Sequence, residues 1–368
     1  FGDLMKIAIG KRFFLFSFLL LVTLSARLQS QGQGRSDEPI KLGTELVVLD
    51  VQVLHKKTGR VIGGLSQEDF TLYEDGVKQQ ITHFSQDKLP LSIVLLLDIS
   101  GSVWPLIDQI QDGGLRALQR LKLEDEVALM TFDTEAAIIQ DFTKDRQLIA
   151  NKIANTDGMR AVLNHARRMP GDGTHIADSI YQAANHLRKA ANPMGRRVII
   201  VVTDNKPFET WIAHSQREVV NQLFETGAVV YGLITEAGSK PSKLVRSMDY
   251  HPAVWLARKL KLLRNYNKGG GVDLYANYTG GVVGDGRKSK AEEKLAELIE
   301  LIRSRYSFGY ISSNQKRDGK FRKIKLKVSR DVEKREGDLV ILTRKGYYAR
   351  QADGRKRAAT RGQPSRQN

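Results

Sequence analysis

Asp98, Ser100 and Ser102 place a side-chain oxygen at every second position of the stretch "LSIVLLLDISGSVWP", Leu91 to Pro105. Seven mostly branched apolar residues precede the aspartate, so a strand built for burial runs straight into hard oxygen donors. A buried strand needs no such ending, and a plain turn uses one such residue. Two further oxygen-bearing residues stand in comparable places. Thr174 follows a glycine-rich loop and opens the helical pattern in "GDGTHIADSIYQAANHL", and Asp204 ends the apolar run of "RRVIIVVTDNKP". Two carboxylates and three hydroxyls suit a divalent cation of the Mg²⁺ type. Such an ion takes oxygen ligands and keeps several waters, so one position can stay open to an outside oxygen.

Residues so far apart in the chain must be brought together by the fold. Continuous apolar runs occur at Ile93–Leu97, Val127–Phe132, Val198–Val202 and Val229–Ile234. Helical patterns lie between them, the first with Ile107, Ile110, Gly114, Leu118 and Leu121 at three-to-four spacing. Gly113 and Gly114 cost that helix roughly 1 kcal/mol each relative to alanine, which close packing on a sheet would explain. The last helix, Lys288 to Tyr306, carries Leu295, Leu298, Ile299 and Ile302 on one stripe. Buried strands alternating with amphipathic helices predict an α/β fold with a doubly wound, mostly parallel, Rossmann-like sheet. Ligands of such sheets bind beyond the carboxyl ends of the strands, where Asp98 and Asp204 stand.

The flanks read differently. "TELVVLDVQVLHKKTGR" puts Val47, Leu49, Val51 and Val53 on one face of a half-buried strand. Ser66 and Asp69 form a capping-box pattern, and Asp75-Gly76 between apolar alternations signals a hairpin. After the last helix come "YSFGYIS", "KFRKIKLKVSR" and "DLVILTRKGYYA", with Phe321, Ile324, Leu326 and Val328 expected on the dry face of a sheet. Neither flank has enough strands to stand alone. The expectation is that they pair into one β-sandwich with the α/β domain inserted. The predicted organisation is 1–30 signal peptide or N-terminal anchor, 31–39 linker, 40–90 N-terminal β unit, 91–304 α/β domain, 305–350 C-terminal β unit and 351–368 disordered basic tail.

Lys6, Lys11 and Arg12 precede the apolar Phe13–Leu24, and Ser25 and Ala26 follow, the pattern of a secretory signal. Twelve residues fall short of the roughly 20 that span a bilayer, though an uncleaved anchor stays open. Either outcome puts the protein outside the cytoplasm, periplasmic, secreted or anchored. The 368 residues contain no cysteine, which excludes disulfides, thiolate metal sites and a cysteine nucleophile. A formal net charge of +17 favours an anionic envelope surface over nucleic acid, for which there is no reading motif.

Catalytic patterns are missing. His55, His83, His165, His175, His186, His214 and His251 are scattered with no HExxH pair, no GxSxG elbow occurs, and Gly269–Gly271 lacks the lysine of a phosphate loop. His175, beside Thr174, reads as a surface or cap residue. Glu124, Asp125 and Glu126 read as a solvated helix-to-strand turn. Tyr306, Phe308 and Tyr310 read as core. "PAVWLARKLKLLRNY", Pro252 to Tyr266, reads as an insertion helix docked by Trp255 and Leu256, with contact to anionic lipid as the other reading.

"DISGS" with Thr174 and Asp204, in that order, resembles the metal-ion-dependent adhesion site of von Willebrand factor type A domains. Over about residues 40 to 350 the chain resembles the bacterial, acidobacterial-type family related to those domains. The marks are "LVVLDVQV", "GLSQEDFTLYEDG", "LSIVLLLDISGS", "TGG" at Thr279–Gly281, "YSFGY" and "GKFRKIKLKV…RKGYYA". The resemblance implies a metal-dependent binding module and no enzyme. Asp98 would anchor Mg²⁺ (or Mn²⁺ or Ca²⁺) largely through water, and Ser100, Ser102 and Thr174 would bind through hydroxyls. Asp204 would complete the shell, and a protein partner's Asp or Glu carboxylate would take the last position. The chain departs from the family at "NKPFETW" after Asp204, where many relatives carry glycine and a further acid, and at Lys240 to Gly271, which is longer and more basic. A structural envelope protein with a vestigial site, or a hydrolase using the metal to activate water, are the rival readings.

Overall fold

The computed structural model describes residues 46–86, 89–100, 118–154, 174–193, 195–205, 213–234, 271–285 and 291–351. Ser102, the Gly113-Gly114 pair, the Pro252–Tyr266 stretch, the N-terminal apolar run and the tail beyond Gln351 lie outside them. Among the described residues no helix is long and apolar enough to cross a membrane.

The N-terminal flank forms β1 (Leu46–His55), β2 (Phe70–Glu74), β3 (Val77–Gln79) and β4 (Ile81–Ser85). Ser66 and Asp69 close a capping box on the short 3-10 turn Gln67–Asp69 that leads into β2. Asp75 and Gly76 both take positive φ, 48° and 87°, as a two-residue hairpin of matching twist requires. The central part supplies β5 (Leu91–Asp98), β6 (Glu126–Phe132), β7 (Ala136–Thr143), β8 (Arg196–Thr203), β9 (Ala228–Ile234) and β10 (Val283–Asp285). The described helices are α1 (Arg146–Ala154), α2 (Ile176–His186), α3 (Gln216–Thr226), α4 (Val272–Thr279), α5 (Ala291–Arg303) and α6 (Arg330–Glu336). The C-terminal flank adds β11 (Tyr306–Ile311), β12 (Phe321–Val328), β13 (Leu339–Leu342) and β14 (Gly346–Tyr348).

The central sheet runs β10-β9-β8-β5-β6-β7, parallel throughout except for β7, which is antiparallel to β6. Every residue of β5 and β6 is buried. Alternate residues serve opposite faces. Ile93, Leu95, Val127, Leu129, Ile200 and Val202 pack with α1 and α5. Val94, Leu96, Met130, Phe132, Ile199 and Val201 pack with α2, α3 and α4. Helices on both faces leave the strands no wet side, which is why they read as unbroken apolar runs. The stripe Leu295, Leu298, Ile299 and Ile302 is the face that α5 buries.

The flanks pair with each other. One four-stranded sheet has the order β13-β1-β11-β4 and another β14-β12-β2-β3, so each contains strands from both ends of the chain. Val47, Leu49 and Val51 of β1 stand opposite Tyr310, Phe308 and Tyr306 of β11, and Leu72 of β2 stands opposite Leu326 of β12. The two sheets share one core, in which Phe70, Phe84, Tyr306 and Phe308 stack or meet edge to face at centroid distances from 4.9 to 6.1 Å. Tyr306, Phe308 and Tyr310 are core residues.

One expectation about β12 is corrected. Ile324 and Leu326 point into the sandwich core, but the residue in phase with them is the buried Arg322, paired with Asp318 at 3.0 Å. Phe321 is out of phase and packs instead with the helix side of the central sheet, its ring 6.4 Å from that of Phe224.

Candidate functional site

At the carboxyl end of β5, two short side-chain turns set the site. Asp98 is the last residue of the strand and is 1% exposed. Its Oδ1 accepts the Ser100 N–H at 2.8 Å, which bends the chain after Ile99. Ile99 is held to the neighbouring strand end by its N–H to Phe132 O, 2.9 Å. On the other side, Thr203 closes β8 and donates its hydroxyl to Asp98 Oδ2 at 2.6 Å. Thr203 Oγ1 in turn accepts the Asn205 N–H at 3.0 Å, folding Thr203, Asp204 and Asn205 into a tight corner. Asp204, the middle residue, is 6% exposed.

Thr174 arrives from the far side of β6. The next residue, His175, donates its N–H to Asp133 O at 2.8 Å, and Asp133 immediately follows β6. This bond puts Thr174, itself buried, at the carboxyl edge of β6, one strand from Asp98. Asp98, Ser100, Thr174 and Asp204 therefore gather at one rim of the sheet, while Ser102 lies outside the described residues. His175 occupies the N-cap position of α2 and is buried there, where the surface was the other expectation.

Burial pushes the Asp98 carboxyl up to about 6, against the hydrogen bonds from Ser100 and Thr203 that favour its charge. The charge of Asp204 adds to the rise. Among the described residues no three His, Cys, Asp or Glu side chains converge as a metal cluster, and the oxygen-bearing side chains at this rim are two carboxylates and the hydroxyls of Ser100, Thr174 and Thr203. That set fits a hard dication in kind, because an added double positive charge would offset the two like charges that burial sets at odds.

The departure after Asp204 has a local explanation. Asn205 takes φ 57°, the left-handed conformation that glycine adopts freely and asparagine tolerates best among the other residues. Lys206 to Trp211, the rest of that departure, lie outside the described residues. The "TGG" mark is a corner too. Thr279 Oγ1 accepts the Val230 N–H at 3.0 Å, and a Cβ on Gly281 would lie 1.8 Å from Val230 O.

The opposite end of the sheet overturns the reading of Asp125 and Glu126 as part of a solvated turn, while Glu124 is exposed as expected. Asp125 and Glu126 are 2% and 3% exposed. Asp125 accepts N–H bonds from Leu91 at 2.9 Å and Lys122 at 2.6 Å and is ion-paired with Arg303. Glu126 accepts from Ser92 Oγ at 2.6 Å and from the N–H groups of Ala191 and Asn192. Nearby, Arg196 pairs with Asp50 of β1 at 3.2 Å and donates to the carbonyls of Arg303 and Arg305. Arg305, fully buried, donates to Tyr231 Oη and to Gly280 O at 2.8 Å. These arginines tie the β flanks to the central sheet. No local pattern marks them, because their partners lie far along the chain, Asp50 146 positions from Arg196 and Tyr231 74 positions from Arg305.

Residues 93–206 match the family model of the von Willebrand factor type A domain. The match runs from within β5 to just past β8 and takes in the whole predicted donor set. Solved structures similar to the chain include the conserved hypothetical protein BatB from Bacteroides thetaiotaomicron, at 15% identity, covering 58% of this chain and 98% of that one with a TM-score of 0.36. Another is proximal thread matrix protein 1 from the mussel byssus with a zinc-occupied MIDAS motif, at 13% identity, 58% of this chain, 47% of that one and a TM-score of 0.36. The vWF domain of the type V pili tip protein Mfa5 from Porphyromonas gingivalis shares 22% identity over 34% of this chain and 43% of that one, with a TM-score of 0.25. No protein with a curated description matches.

Proposed function

We propose that the von Willebrand factor type A domain of this chain is an extracytoplasmic, metal-dependent protein-binding module. The domain type is a known adhesion and protein-interaction module. The observation that carries the reading is the pair Asp98 and Asp204, two buried carboxylates at one sheet rim, joined through Thr203, with Ser100 and Thr174 beside them. Asp98, Ser100, Ser102, Thr174 and Asp204 would hold a cation of the Mg²⁺ type. When bound, the ion supplies an acceptor position for an oxygen from outside the protein. The residues themselves do the rest. The turns at Asp98 and Thr203 fix two carboxylates at the ends of adjacent strands. A partner's Asp or Glu carboxylate is the ligand that charge favours, because it meets a dication whose charge two aspartates only balance.

Calorimetry tests this directly. Mg²⁺ or Mn²⁺ binding is expected to weaken at least a hundredfold in Asp98→Ala and in Thr174→Ala, with circular dichroism unchanged. Equal affinity in the wild type and both variants would discard the site. Capture of the same envelope partner with and without chelator would favour a structural role with a vestigial site.

An anionic surface is the second partner class, supported by one face of the β14-β12-β2-β3 sheet. Lys323, Lys325 and Lys327 are exposed on alternate positions of β12. Lys325 stands opposite Tyr73, which stands opposite the exposed Lys78, and the Lys327 ammonium lies 5.4 Å from the Tyr73 ring. Each lysine near an anionic bilayer is worth about 1 kcal/mol, so Lys325→Gln with Lys327→Gln should weaken binding to anionic vesicles by about twenty-fold or more. Unchanged vesicle binding would remove this partner class.

A further inference from the structure

Asn205 links the metal rim to a helix that contributes none of the predicted ligands. Its backbone N–H closes the corner around Asp204 by bonding Thr203 Oγ1, and that hydroxyl in turn holds Asp98. Its side chain is committed elsewhere. Asn205 Oδ1 accepts the Val272 N–H at 2.8 Å, and Nδ2 donates to Asp273 Oδ1 at 3.1 Å, both in the first turn of α4. The N-cap residue of α4 is Gly271, which has no side chain to satisfy that turn. Asparagine from another strand end does the capping instead. A Cβ on Gly271 would lie 2.4 Å from Asn205 Oδ1 and 2.6 Å from Asp273 Oδ1, so a larger residue there would push the amide out of its seat.

We infer that Asn205 is a positioning residue for the metal site. Its left-handed backbone aims Asp204, and its amide, seated on α4, holds that backbone in place. The start of α4 is thereby coupled to cation affinity. This rests on the reading of the rim as a metal site and adds a lever to it from outside the ligand set. The two parts of the role separate by substitution. Asn205→Gly keeps the left-handed conformation at no steric cost but loses the seat on α4. Asn205→Ala loses the seat and strains the turn. Gly271→Ala leaves Asn205 in the chain and displaces its amide.

The experiment is Mn²⁺ calorimetry on the full chain, paired with thermal unfolding in chelator. Affinity is expected to fall about tenfold or more in Asn205→Ala, and a few-fold in both Asn205→Gly and Gly271→Ala. A purely structural role would lower the melting temperature and leave the affinity of the folded protein untouched, and that result would overturn the inference. The milder Asn205→Gly keeps the test open if Asn205→Ala fails to fold. Wild-type binding with three unchanged variants sinks this inference alone. A wild type that binds no cation sinks the parent reading and this one with it.

Discussion

The two ends of the central sheet both bury charge, and they do so in opposite ways. At the amino end two buried ion pairs are matched, Arg196 with Asp50 and Arg303 with Asp125, while Glu126 is held by one hydroxyl and two backbone N–H groups. At the carboxyl end, Asp98 and Asp204 have the same sign, burial chiefly raises the Asp98 carboxyl, and a hydroxyl rather than a guanidinium is bonded to its Oδ2. Arginine pairing at the amino end commits buried carboxylates to holding the fold together, whereas the carboxyl end sets two carboxylates beside hydroxyls, the oxygen-donor chemistry that the proposed cation would use.

That contrast can be broken by experiment. The largest effect is expected at the matched end. Arg303→Ala strands the Asp125 carboxylate and should lower unfolding free energy in urea by about 3 kcal/mol while leaving Mn²⁺ affinity alone. A shift in affinity as large as the shift in stability would erase the distinction between the ends. The carboxyl end should respond with the opposite sign. Asp98→Asn keeps an acceptor for Ser100 and removes one of two like charges, so chelated protein should gain about 2 kcal/mol at pH 8 and lose its response to cation. The sign follows from an acid raised from 3.8 to about 6 in the fold. The cost of its ionisation builds as pH rises from the unfolded value of 3.8 and is complete above about 6, so the gain should vanish near pH 4.

The smallest expected effect again concerns the amino end. His186, stacked on Phe142 and 3.1 Å from Asp141, has its pKa lowered, chiefly by burial, with Asp141 acting the other way. A base depressed in the fold contributes stability above its unfolded value near 6.5, and loses it as pH falls below that value. Melting temperatures at pH 8 and pH 5.5 should differ by a few degrees more in wild type than in His186→Gln. Equal pH profiles would show that His186 does not feel its burial.

Much of this molecule was legible in one dimension. Leu91–Leu97 and Val198–Val202 announce buried parallel strands because both faces are covered, and the positions of Asp98 and Asp204 at their ends follow from strand direction alone. Ser66 with Asp69, and Asp75 with Gly76, are local signals acting within a few residues, and they appear as read. Asp125, Glu126 and Arg305 were not legible. Asp125 meets Arg303 across 178 positions of chain, and Arg305 meets Tyr231 across 74. A short run of charges looks the same whether solvent or a distant guanidinium will face it.

The sequence by itself determined which residues could bind a cation and on which ends of which strands they fall, because those facts depend on side-chain chemistry and on periodicity within a single element. Tertiary structure alone decided that Asn205 turns left-handed and caps α4, and that the acids at the far end are paired. Those outcomes are set by which surfaces meet when the sheet closes against its helices and flanks, and no local pattern carries that information.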